Sequence, residues 1–119
     1  MIYNCVSTDS GKTIEWEINS RKIVKKYDYQ VYFEIGGAGD YIVAVEPDNE
    51  FSPNNAVIFN PDGTERKRII NPLSNDGAIC FGDVYCERGS IVLVSVCPRA
   101  NYICVLDHDG GIESFHETR

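Results

Sequence analysis

The sequence predicts an all-β fold, a single domain made as an antiparallel meander of about nine or ten strands. Three observations carry this. Apolar residues alternate with polar ones at period two, as in Ile14, Trp16 and Ile18 between Thr13, Glu15 and Glu17. Short apolar runs are bounded by turn residues. No stretch long enough for a helix shows apolar residues at a spacing of three to four.

In chain order, the alternating segment at 13–18 reads as a half-buried strand. Residues 20–27 (SRKIVKKY) are basic and read as a strand with Ile23 buried. Residues 29–35 (YQVYFEI) hold the aromatic and β-branched types that strands favour. The runs 41–45 (YIVAV), 56–59 (AVIF), 91–96 (IVLVSV) and 102–106 (YICVL) suit strands covered on both faces. Asp62-Gly63 and Asp109-Gly110 mark hairpins, because such turns need positive φ, which Gly and Asx tolerate. Ser10-Gly11 is a weaker mark. Gly36-Gly37-Ala38-Gly39-Asp40 connects two strands. The prolines at 47, 53, 61, 72 and 98 stand at or near strand ends, where a missing N–H does no harm.

The chain also resembles itself. YIVAVE at 41–46 parallels SIVLVS at 90–95, and AVIFNPDG at 56–63 parallels ICVLDHDG at 103–110. YNCV at 3–6 is similar to YICV at 102–105, and the turn glycines Gly11, Gly63 and Gly110 stand 52 and 47 residues apart. Strand, turn, strand, loop, strand, Asx-Gly turn, strand at this spacing resembles the blades of β-propellers. The repeat-like units run over about 1–28, 29–72 and 77–119. The pattern lacks a Trp-Asp ending, a Gly-His opening and a kelch-type double glycine in register. Two and a half blades also fall short of a closed ring. The resemblance therefore implies an open stack, a sandwich or barrel of the same meander, or closure by oligomerisation. The likeness of 3–6 to 102–105 suggests that the N-terminal half-unit sits beside the C-terminal sheet.

At 119 residues, 43% apolar and 24% charged, the chain is long enough for one real core and too apolar for disorder. No apolar run approaches the length of a membrane helix, so no membrane contact is expected. MIYNCVSTDSGK has no basic start followed by an apolar stretch, and the expectation is a cytoplasmic protein. Five cysteines at irregular spacing, with no CxxC pair, point to reduced thiols used as small core residues. The net charge is −7 and uneven: residues 1–30 hold five Lys/Arg against four Asp/Glu, residues 31–119 six against fourteen. An acidic surface disfavours direct nucleic-acid binding, which needs basic charge, and suits a basic protein partner.

Catalytic chemistry finds little support. Ser10-Gly11-Lys12-Thr13 has the tail of a phosphate-binding loop, but Val6 stands where the motif needs Gly, and a strand follows instead of a helix. The glycines at 36–39 likewise precede a strand. His108 sits in a turn between Asp107 and Asp109. His116 shares a strand face with Ser114, opposite Phe115, and a pair with Cys97 or Cys104 has no local support. No catalytic residue, cofactor site or metal site is assigned. Arg66-Lys67-Arg68, and Arg21, Lys22, Lys25 and Lys26, read as phosphate contacts or as charges guarding edge strands.

The loop Glu46-Pro47-Asp48-Asn49-Glu50-Phe51 is the best binding candidate. It carries three carboxylates at spacing two, then an aromatic anchor. Asp40, Asp83 and Glu87 near neighbouring turns extend it into one acidic rim at one end of the sheets. The predicted function is a non-enzymatic protein-binding module, with self-association open. In size and charge the chain is similar to bacterial immunity proteins. That resemblance implies neutralisation of a toxin, of the basic nuclease type, through the acidic surface. The alternative is a small-ligand or carbohydrate-binding, lectin-like domain. Against it, the loop at 97–101 (CPRAN), equivalent to 46–51, is shorter and basic.

Overall fold

The computed structural model describes residues 1–118 as eleven strands with no helix. Arg119, the last residue of the third repeat-like unit, lies outside the described residues. The strands form three antiparallel meanders. The first sheet holds β1 (Tyr3–Thr8), β2 (Thr13–Ile18) and β3 (Arg21–Lys26). The second holds β4 (Tyr32–Gly36), β5 (Tyr41–Val45), β6 (Ala56–Phe59) and β7 (Glu65–Ile69). The third holds β8 (Cys80–Glu87), β9 (Ser90–Val96), β10 (Asn101–Leu106) and β11 (Ile112–Glu117). Each strand pairs with its neighbours in sequence, and the sheets do not close into a barrel.

The second sheet is the middle layer of an open stack. One face of β5 and β6 presents Val43, Val45, Ala56 and Ile58 to Phe81, Val84, Leu93, Cys104 and Leu106 of the third sheet. The other face presents Ile42, Ala44, Val57 and Phe59 to Ile14 and Trp16 of the first. This is why 41–45 and 56–59 read as continuous apolar runs: every residue in both strands is buried. Side-chain hydrogen bonds also cross between layers. Trp16 Nε1 donates to the Pro61 carbonyl at 2.7 Å, and the Tyr41 hydroxyl to the His108 carbonyl at 3.3 Å.

The turns fall where the sequence places them. Gly11, Gly63 and Gly110 all have positive φ, and Ile23 is half-buried against the core between the first two sheets. Four expectations need correcting. Strand β4 begins at Tyr32 and not at 29, because the Val31 N–H bonds the Gly11 carbonyl at 2.9 Å and so belongs to the first sheet's turn. The strands number eleven and not nine or ten: the segment 80–87 is a full strand, and the charged segment 65–69 is the edge strand that its basic residues allowed. The N-terminal unit does not join the C-terminal sheet: β1 pairs with β2, two layers away from the third sheet. Strands β9 and β10 are fully covered on one face only: on the other, Val92 is buried, but Val94, Val96, Ile103 and Val105 are half-buried.

Candidate functional site

The loop from Glu46 to Asn55 leaves β5 and returns as β6 under the control of one buried amide. Asn55 Nδ2 donates to the carbonyls of Glu46 at 2.8 Å and Phe81 at 2.9 Å, and its Oδ1 accepts from the Phe81 N–H at 2.7 Å. That side chain fastens both ends of the loop and ties them to β8. Inside the loop, Asn49 Oδ1 accepts from the Phe51 N–H at 2.8 Å, and the Ser52 N–H donates to the Asn49 carbonyl at 3.0 Å. Asx chemistry thus turns the tip and leaves Asp48, Glu50 and Phe51 exposed.

Glu46 is not part of that exposed tip. Its carboxylate takes Arg68 at 2.7 Å and the Tyr27 hydroxyl at 2.9 Å, and its side chain is 11% exposed. Burial works against the charge on Arg68. The hydrogen bonds and charges of Glu46 and Glu65 outweigh it and hold the guanidinium's pKa above its ordinary value. Burial, with Glu46 beside it, raises the pKa of the Tyr27 hydroxyl. The same guanidinium lies 4.1 Å from the centre of the Phe51 ring, which steadies one face of that ring and leaves it 49% exposed.

The seven acidic and aromatic candidates do not form one rim. Asp40 and the loop 46–51 stand at opposite ends of β5, because one precedes the strand and the other follows it. Asp40 bonds Arg66 at 3.3 Å. Asp83 lies within β8, away from any turn, and Glu87 closes that strand. Asp48 and Asp83 each act on a neighbouring group. Burial and then the charge of Asp48 raise the Cys80 thiol at the start of β8, and burial and then Asp83 raise the Glu34 carboxyl on β4. Among the described residues Asp48, Glu50, Asp83 and Glu87 make no ion pair: two stand on the loop tip and two on β8, in place of the expected rim.

The remaining polar candidates are accounted for by the fold. Strands β3 and β7 are edges, and their basic residues guard them. Lys22 pairs with Glu15 at 3.2 Å, and Lys25 lies 4.8 Å from the Phe59 ring centre. His116 stands opposite Ile103, and Phe115 opposite Cys104, so His116 and the buried Cys104 point to opposite faces of the sheet. Sequence reasoning missed Asn55 and Arg68 as organisers of the loop. The one available signal was the Asn54-Asn55 pair just before an apolar run.

No family model and no curated protein matches the chain. Among solved structures, a chain from the structure of Tne2 in complex with Tni2 is similar, with a TM-score of 0.70 and 12% identity. The match covers 90% of this chain and 77% of that one, and it shows a shared fold.

Proposed function

We propose that the chain is a non-enzymatic protein-binding module for a basic partner, and that it serves as a cytoplasmic immunity protein against a bacterial nuclease-type toxin. The observation that carries the reading is the set of exposed carboxylates without ion pairs: Asp48 and Glu50 on the loop tip, Asp83 and Glu87 on β8. By contrast, Asp40 is held by Arg66, and Glu46 and Glu65 by Arg68. Unmatched charge on a rigid frame accelerates encounter with an oppositely charged protein. A chain of similar fold taken from a two-protein complex supports a binding role.

The test is capture with the purified chain as bait, including the products of neighbouring genes, followed by kinetics. One stoichiometric basic partner should appear and weaken at high salt. Asp48→Lys with Glu50→Lys should slow its association and flatten the salt dependence, with Glu46 left intact because it holds the loop. No partner at any salt, or association unchanged when Asp48, Glu50, Asp83 and Glu87 are all reversed, would end this reading. Glycan binding in place of a protein would favour the lectin-like alternative.

A further inference from the structure

The two ends of the stack are finished differently. The outer face of the first sheet interleaves charge with its apolar residues. There Glu15 lies between Val6 and Val24 in register, and Glu17 lies opposite Lys22. Lys22 bridges back to Glu15 at 3.2 Å. Such a surface ends a stack of sheets in water. The outer face of the third sheet is built like the buried faces inside the stack. Val94 stands between Ile103 and Asp83, and Val92 between Val105 and Tyr85. Val96 extends the same row toward Asn101. Val92 is buried within the sheet, whereas Val94, Val96, Ile103 and Val105 are half-buried, and among the described residues no fourth layer covers them. A depression of about 370 Å3 opens on this face between Glu87, Arg88, Ser90, Val92 and Val105, with room for one anchoring side chain.

Acidic groups border the face on the β8 side, where Asp83 and Glu87 project with Tyr85 between them. Ser114 and His116 border the β11 side. A second copy of this chain would bring another net −7 against the first, whereas a basic protein gains from the same charges.

We infer that the outer face of the third sheet, centred on Val94, Ile103 and Val105, docks a protein partner that presents an aliphatic patch flanked by Lys or Arg facing Asp83 and Glu87. This rests on the binding-module reading and gives that reading a surface. The apolar centre supplies desolvation energy and the β8 margin sets orientation and approach rate.

The experiment places a benzophenone photo-crosslinking side chain at Val94 of the full chain, expressed in the source cells. Matched variants carry it at Glu17 on the opposite end of the stack and at Glu50 on the loop tip. Irradiation should join Val94, and not Glu17, to one basic protein. The adduct should fall several-fold at high salt and on adding Asp83→Lys with Glu87→Lys. The melting curve of each variant confirms that it is folded. A basic protein joined from Glu50 but not from Val94 overturns this docking face and leaves the binding-module reading standing. An adduct between two copies of the chain through Val94 overturns the heterologous partner. No adduct from any of the three positions overturns both.

Discussion

Arg68 and Glu46, 22 residues apart in sequence, meet at 2.7 Å with side chains 16% and 11% exposed. The pair bolts the end of β5 to the edge strand β7, and through Tyr27 to the end of β3. Removing one partner leaves a charge sheltered from water. Arg68→Ala should therefore cost about 2–3 kcal/mol, and the double variant Glu46→Leu, Arg68→Met clearly less than the sum of its singles. Urea unfolding of the four proteins checks this. Additive losses would mean the two residues act separately.

Asn55 should be the most costly polar side chain to remove. Asn55→Ala leaves the Phe81 N–H and carbonyl without their partners inside the protein. The expected loss is about 2–4 kcal/mol. Amide exchange at Phe81 should rise with it, which a purely local change in the loop would not produce.

Gly110 combines a φ of +83° with contact against Ile58, whose side chain occupies the place a Cβ would take. Gly110→Ala should destabilise by about 2 kcal/mol from backbone strain and crowding together. Gly89, also at positive φ but with open space around it, should lose less on the same change. Thermal melts of the two variants compare the crowding alone.

Glu34 carries a pH dependence. Burial, with Asp83 nearby, raises its carboxyl pKa above the usual Glu value. An acid raised in the folded state opposes folding once ionised. That opposition is absent below the unfolded-state pKa and complete above the folded one, so stability falls as pH rises through the window. Glu34→Gln should raise the melting point near pH 7 and leave it unchanged near pH 3. The side chain is half-buried and still partly screened by water, so the gain should stay below about 1 kcal/mol.

The five thiols should separate by reactivity. Cys86 is exposed on β8, while burial pushes Cys5 and Cys104 up to about 11. Ellman's reagent near neutral pH should label Cys86 first and Cys104 only on unfolding, because the thiolate is the reactive form. Mass mapping of the labelled peptides reads the order. Early labelling at Cys104 would mean that β10 opens in the folded state.

Much of this architecture was legible because the central sheet is buried on both faces, which writes YIVAV and AVIF as unbroken apolar runs. The hairpin glycines were legible because positive φ restricts the residue. Strand β7 was legible only as charge guarding an edge after the Asp62-Gly63 turn, since ERKRI shows no alternation of burial. Strand β8 was hidden by its irregular register between Phe81 and Asp83, which interrupts the period-two pattern. The acidic loop was found by composition, but the inward turn of Glu46 depends on Arg68 and Tyr27, which reach it from other strands. No local pattern encodes such a meeting. Which carboxylates remain open for a partner is decided by the fold.

Among the described residues every ladder joins strands that are neighbours in sequence, and none crosses from one sheet to another. The three layers are held to one another chiefly by apolar faces. Genetically, that makes the layer the unit of change. A duplication could append a sheet after β11, or a deletion remove one, without leaving a broken row of backbone bonds. The face exposed by such an event would start apolar, and natural selection would then either stud it with charge, as on the first sheet, or recruit another molecule to cover it.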